Sequence, residues 1–318
     1  MGASELRLRV EGHEIAVTNP AKLLFSDDHI SKYELIDYYR WVAPRMLPFL
    51  RDRPIALERY PNGIGQVGFF QKSVPSYFPD WVKTIEVEKK QGGVTRHVIC
   101  NNGAVLVYLA NQACITPHIW ISRVDKLECP DQMVFDLDPS ADAFDWVRAA
   151  ALALNELLQE LTLSAYVKST GSRGLHVIVP LKRTESFESV RAFARAVAMR
   201  VVMEEPSQRT LQQRTGSRHG RVFFDINRNA YAQTVAPPYA VRARPNASLS
   251  IPLFWEEVRS KTLRPDGVTL RDIRKRLDGM IDPWADFWRR ASALGSARRK
   301  LELLGVSVRV PQDRKSVV

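Results

Sequence analysis

The sequence is compatible with an α+β fold, and two observations permit it. Short segments with the period-two alternation of strands are interspersed with three or four long stretches of helical periodicity. The chain of 318 residues, 45% of them apolar, is also long and apolar enough to bury a substantial core. This pattern permits the class without requiring one arrangement of sheets, and length alone allows one large domain or two ordinary ones.

Composition narrows the function classes. Cys100, Cys114 and Cys129 lie far apart with no CxxC pair, which argues against a disulfide framework and against a zinc site, and a reducing cytoplasm fits best. There is no apolar run near the roughly 18 residues of a membrane span, and the start MGASELRLRVEGHEIAV alternates like a strand rather than a signal peptide. The chain is therefore expected to be neither exported nor membrane-spanning. A net charge of +11 favours a polyanionic partner, nucleic acid above all, with plain solubility as the alternative.

After the short initial strand, TNPAKLLF leads into SDDHISKYELIDYYRWVAPRML, where Ile30, Leu35, Ile36, Tyr39 and Val42 trace one helical face and Ser31 is the N-cap. Lys22 and Lys32 bracket this connection. They and unpaired amides of the helix N-terminus are placed to hold one phosphate, unless they are simply solvated. A strand carrying Arg59 follows, then a glycine-rich turn with Phe69, Phe70 and Lys72. Adjacent aromatics beside cations suit base stacking, and core packing is the alternative. Residues 83–112 read as strand, turn, strand and short helix, and ITPHIW then places His118 where a histidine is usually structural.

QMVFDLDP is the chemical centre. Strand alternation puts Asp136 and Asp138 on one face and Phe135 and Leu137 on the other, with Cα atoms about 6.5 to 7 Å apart. Two such carboxylates can converge on divalent ions, and oxygen ligands suit Mg²⁺ or Mn²⁺. A strand end whose Ser140 or Asp142 caps the next helix would give the same residues a purely structural role.

FDWVRAAALALNELLQEL is the clearest helix, ending before Thr162. SAYVKSTGSRGLHVIVPL then reads as strand, basic glycine-rich turn and strand. Its turn is either a hairpin or an anion-binding nest, to which Thr170, Ser172 and Arg173 add donors. FESVRAFARAVAMRVVMEE is a second amphipathic helix. SQRTLQQRTGSRHGRVFFDINRN ends in a strand that delivers Asp225, a third carboxylate of the kind a pair of metal ions needs. PYAVRARP adds Arg242 and Arg244, Glu256 and Glu257 open a helix, RDIRKRLDGMIDPWADFWRRASALGSARRKLELL is read as helical and basic, and RVPQDRKSVV as a frayed tail.

Seven ordered motifs, TNPAKLLF, SKYELIDYY, ERYPNGIGQVGFFQK, VFDLDP, STGSRGLHVIVPL, RVFFDINRN and YAVRARP, resemble the polymerase domain of the prokaryotic end-joining ligase D proteins, within the archaeo-eukaryotic primase superfamily. The resemblance covers roughly residues 8–290. It implies the α+β class, with a primase-like core of mixed or antiparallel sheets, one of them catalytic and a second smaller one alongside, flanked by helices. It implies a polymerase domain over residues 1–292 followed by a basic helix and tail over 293–318.

By this resemblance Asp136, Asp138 and Asp225 bind two Mg²⁺ or Mn²⁺ ions and catalyse attack of a primer 3′-OH on the α-phosphate of an NTP or dNTP, with ribonucleotides favoured. His118, Thr170, Ser172, Arg173, His176, Arg218 and Arg242 would line the nucleotide pocket. Lys22 and Lys32 would hold the 5′-phosphate of a downstream strand, and Arg59, Phe69, Phe70 and Lys72 would contact DNA. The implied partners are gapped or broken DNA with 5′-phosphates, Ku and a separate ligase, in a nucleoid-associated cytoplasmic setting. Two departures stand out: Arg173 where many relatives carry Lys, and Arg228 where some carry Gln. No KxDG ligase motif occurs, so a stand-alone polymerase or an excised domain is expected. A metal-dependent nuclease or a non-catalytic DNA-end-binding module is the competing reading.

Overall fold

The computed structural model describes residues 6–89, 92–140 and 143–308. The alternating start is two strands rather than one: β1 (Leu6–Val10) and β2 (His13–Val17) form a hairpin. Its turn uses Glu11 and Gly12, both at positive φ, which a glycine takes without strain. β3 (Leu23–Phe25) and β4 (Ile30–Ser31) lead into α1 (Lys32–Leu50). Ser31 caps this helix as predicted: its hydroxyl accepts the Glu34 N–H, and the Glu34 carboxylate accepts the Ser31 N–H, a full capping box. The helix continues past Pro44 and Pro48 because Met46, Phe49 and Leu50 extend the buried face beyond them.

Next come β5 (Pro54–Arg59), β6 (Phe69–Gln71), β7 (Thr84–Glu88), β8 (Val94–Ile99), α2 (Gly103–Asn111) and β9 (Cys114–Trp120). β5, β7, β8 and α2 follow the reading from the sequence, whereas β6, on the glycine-rich turn, and β9, over ITPHIW, were not expected as strands. A small hairpin, β10 (Ser122–Arg123) and β11 (Lys126–Pro130), precedes β12 (Gln132–Asp138), the strand of the two aspartates. α3 (Phe144–Glu160) has Ala143 at its N-cap with no side-chain cap bond, so Ser140 does not cap it, and Asp142 lies outside the described residues. β13 (Tyr166–Ser169), β14 (Leu175–Pro180), α4 (Phe187–Glu204), β15 (Arg209–Thr210) and β16 (Val222–Asp225) complete the central part. Short strands β17 (Thr234–Val235), β18 (Ala240–Val241), β19 (Leu249–Ser250) and β20 (Pro252–Leu253) then lead to helices α5 (Trp255–Arg259), α6 (Ile273–Leu277) and α7 (Gly295–Leu303).

Two sheets organise the molecule. The first has the order β15-β16-β12-β14-β13-β20, antiparallel except for the β15–β16 pair, and so is mixed. The second runs β17-β9-β5-β8-β7 with β6 also on β5, all antiparallel. It was expected to be smaller, but it has six strands like the first. α3 and α4 cover the first sheet through β12 and β14, while α1 and α2 pack together with α2 against β9. The apolar positions of α3 that face inward, Val147, Ala150, Ala151, Leu154 and Leu158, repeat every three or four residues and are buried.

The C-terminal region departs from the predicted run of helix. α6 has five residues, a 3₁₀ turn spans Phe287–Arg290, and α7 has nine. Gly279 at φ +63 and Pro283 fall between the first two pieces and stop a helix there. α7 buries Ala297 and Leu301, and Arg298 pairs with Glu185 at 2.5 Å. The segment RVPQDRKSVV lies outside the described residues.

Candidate active site

The central strand positions the carboxylates as the alternation predicts. Phe135 and Leu137 are fully buried on one side of β12, and Asp136 and Asp138 face the other. In the antiparallel registers Asp136 stands opposite Asp225 on β16 and opposite His176 on β14. Three carboxylates from two neighbouring strands thus share one face.

That face opens on a cavity of 240 Å³, lined among others by Asp136, Asp138, His176, His118, Arg228 and Arg242. His118 comes from β9 of the second sheet, so the cavity lies where the two sheets face each other. Thr170, Ser172 and Arg173 also line it.

The charges in this space are unevenly compensated. Asp136 accepts from Nε2 of His176 at 3.2 Å and from Nε of Arg228 at 3.3 Å. Burial works against its ionisation, but the imidazole and the guanidinium outweigh burial and hold it well below the usual carboxylate range. His176 is itself pushed down to about 4, first by burial and then by the charge of Lys168, so at neutral pH it is a neutral donor to Asp136. Its Nδ1 is buried and finds no partner among the described residues. Asp138 has no hydrogen bond or ion pair among the described residues. Burial, and then repulsion from Asp136, raise it to about 6. Asp225 accepts the backbone N–H of Asn227 at 2.8 Å, which fixes the turn after β16.

The glycine-rich loop is built differently from an open nest. The Thr170 hydroxyl accepts the N–H groups of Ser172 and Gly174 at 3.2 Å and donates to the Gly174 carbonyl at 3.0 Å, so these groups are spent inside the loop. A Cβ at Gly174 would stand 2.1 Å from the Leu137 carbonyl, so only glycine lets the loop lie this close to the aspartate strand. Arg242 braces the loop by donating to the Thr170 carbonyl at 2.9 Å, with its Nε left free of partners in the buried lining. Arg173 is exposed at the cavity and has no partner among the described residues. Arg218 stands outside the lining: it lies over the Phe223 ring at 4.0 Å and donates to the Gln212 and Gln213 carbonyls.

Opposite the carboxylates, the Nε2 of His118 meets Glu58 at 3.0 Å, and its ring packs edge-on to Phe70. Glu58 and the buried Lys168 were not singled out from the sequence. A signal for Glu58 existed, a carboxylate inside the apolar strand PIALER, on the same face of β5 as Ala56, which pairs with His118. Lys168 offered none, since a lysine in an alternating strand reads as its solvent face.

The hairpin β5–β6 carries the aromatic pair. Phe69 and Phe70 are 47% and 57% exposed, which rules out the core-packing alternative. Arg59 lies beneath them. It is buried, sits 5.5 Å from the Phe69 ring, and spends its donors on Gln112, Gln71 and Tyr77. These bonds tie the β5–β6 hairpin to Gln112 and Tyr77. Lys72 lines a separate cavity of 430 Å³ with Thr95, His97, Trp120 and Tyr231.

Lys22 lies near enough to Lys32 for its charge to lower Lys32, but the free helix amides expected beside them are not there. The Lys32 N–H bonds the Lys22 carbonyl, that of Tyr33 the Pro20 carbonyl, and that of Glu34 the Ser31 hydroxyl. The first turn is therefore already satisfied, and side chains alone remain for an anion. Lys22 Nζ donates to Asn62, and the buried Lys32 Nζ to Thr18 and the Asn111 carbonyl.

The donor set fits a hard divalent cation: oxygen ligands from three carboxylates, one of which, Asp138, has no hydrogen bond or ion pair among the described residues. Among the described residues no three potential ligands already converge on one point; Asp136 is engaged by His176 and Arg228.

The class of protein that this fold defines is a primase-polymerase nucleotidyltransferase. Residues 31–284 match the family described as "LigD, primase-polymerase domain", and the chain belongs to that family. It is 30% identical over 278 residues to the bifunctional non-homologous end joining protein LigD of Bacillus subtilis (strain 168), covering 87% of this chain and 44% of that protein. It is 32% identical over 291 residues to the multifunctional LigD of Pseudomonas aeruginosa, covering 90% and 34%. The chain spans less than half the length of these curated relatives. Its fold is similar to the polymerase domain from Mycobacterium tuberculosis ligase D in complex with DNA, with a TM-score of 0.83 at 27% identity, covering 87% of this chain and 99% of that one. No helix among the described residues is long and apolar enough to cross a membrane.

Proposed function

We propose that this chain adds nucleotides, directed by a template, to DNA ends and gaps during break repair, with ribonucleotides favoured. The observation that carries the reading is the pairing of Asp136 with Asp225 across two strands beside Asp138, with Asp136 and Asp138 lining a cavity together with Arg228, Arg242 and Arg173. Carboxylates beside cations in one small space suit a triphosphate and a primer end together. Two Mg²⁺ or Mn²⁺ ions held by the three aspartates would supply charge stabilisation at the attacking and leaving oxygens.

The chain's own side chains do the rest. Arg242 and Arg173 meet the triphosphate charge, and neutral His176 holds Asp136 in place through its Nε2 proton. Glu58 orients His118, whose ring supports Phe70 where a template base stacks. Lys22 and Lys32 hold the 5′-phosphate of a downstream strand, which positions the DNA without reading sequence. Ku and a separate ligase would act before and after this step. Extension of a primer on gapped DNA, with each NTP and dNTP and with Mg²⁺ or Mn²⁺, tests the reading. Template-dependent lengthening, stronger with NTPs, is expected. Shortening of the strand would favour the nuclease alternative instead.

A further inference from the structure

We infer that Arg228 is a built-in counter-ion of the metal-free site, bridging Asp136 and Asp225 where a divalent cation would bind, so that metal must displace its guanidinium to load. The inference rests on the proposed metal-binding role of the aspartates. Arg228 Nε lies 3.3 Å from Asp136 Oδ2 and 3.9 Å from Asp225 Oδ2. These two residues are direct cross-strand partners, a pairing in which like charges repel. One guanidinium therefore offsets the repulsion at the point where the two chains of ligands meet.

The backbone beneath it is anchored while the side chain is free to move. Arg228 sits in the 3₁₀ turn Asn227–Asn229. The Asn229 side chain bonds both the N–H and the carbonyl of Val134 on β12, at 2.8 and 2.6 Å. The Asn227 N–H is tied to Asp225. The Arg228 side chain, in contrast, is 40% exposed and lines the cavity beside Arg242 and Arg244. Once displaced it stays within the same cavity, on the side where triphosphate charge would lie. Binding of metal and of nucleotide would thus favour each other, because each gives the system what the other's arrival removes.

A glutamine at this position would carry no charge and leave the carboxylates open. Mn²⁺ binding, measured with the full chain by electron paramagnetic resonance and without nucleotide, tests this against R228Q, R228K and the parent. R228Q should bind Mn²⁺ about ten-fold more tightly than the parent, and R228K should stay close to the parent. In EDTA, R228Q should melt below the parent, and Mn²⁺ should raise its melting temperature by more. Equal or weaker Mn²⁺ binding by R228Q with native circular dichroism would overturn the displacement. D138N decides the underlying reading separately. Loss of Mn²⁺ binding on adding D138N to either background keeps the aspartate site, whereas binding that survives it places the ion elsewhere and removes both the site and the gate.

Discussion

Asp136 and Asp138 are two residues apart and face the same way, yet removing them should have different consequences. Asp136 is partnered by His176 and Arg228, so Asp136→Ala leaves a buried imidazole and a guanidinium without their acceptor. Asp138 has no such partners. Its carboxyl is raised to about 6 in the folded protein, above the value it has when unfolded. Its ionisation therefore costs nothing at low pH, opposes folding increasingly as pH rises from about 4 to about 6, and by a constant amount above that. In EDTA, Asp138→Asn should stabilise the protein by on the order of 1 kcal/mol at pH 7.5 and by little at about pH 3, below the unfolded value. Urea unfolding at the two pH values measures this, and a loss of stability at pH 7.5 would give Asp138 a structural role. The alternation of VFDLD made the shared face legible. The asymmetry between the two aspartates was not, because it depends on His176 and on Arg228, which lies 92 residues away in sequence.

At the scale of elements, the β5–β6 hairpin and the start of α1 are the two places where DNA contact is argued. Phe70 is more than half exposed while its neighbour Arg59 is locked beneath the hairpin. Phe70→Ala should weaken binding of gapped DNA by about 1 to 3 kcal/mol without loss of stability, as fluorescence anisotropy and thermal melting would report. Fold destabilisation with normal DNA affinity would contradict it. At α1, burial and then the charge of Lys22 lower Lys32 to about 8. Its positive charge is complete near neutrality and lost as pH rises through that value. The preference for a 5′-phosphate over a hydroxyl end should accordingly hold near pH 7 and fade above about pH 8.5, and should vanish at all pH values in the Lys22→Ala, Lys32→Ala pair. A pH-independent preference would place the phosphate elsewhere. The capping box was readable from Ser31 and Glu34, but the satisfied first turn was not, since Lys22 and Pro20 reach back to it only in three dimensions.

For the whole molecule, the question is what holds two sheets in place across one cavity. Arg53, at the start of β5, is fully buried and makes a two-pronged pair with Asp131, just before β12, at 2.8 and 2.6 Å. Arg123 adds a third bond to the same carboxylate at 2.9 Å. This pair links the first strand of one sheet to the central strand of the other. Asp131→Ala strands a buried guanidinium and should cost about 3 to 5 kcal/mol in urea unfolding. A loss below about 1 kcal/mol would show that the sheets do not depend on it. Nothing in the sequence marked the pair, which joins residues 78 positions apart, whereas the long helices α1, α3 and α4 and the shared face of Asp136 and Asp138 were legible from local periodicity. The C-terminal run misled for the same local reason: its basic and apolar residues fit a helix, but Gly279 and Pro283 divide it. The central claim is that the three carboxylates act together although Asp225 arrives on a different strand. Its most direct test is nucleotide addition to a primed, gapped DNA with Mn²⁺, comparing the parent with Asp225→Ala. The parent should extend the primer, and the variant should bind the same DNA with unchanged affinity and add nothing. Extension by Asp225→Ala at close to the parent rate would contradict the account.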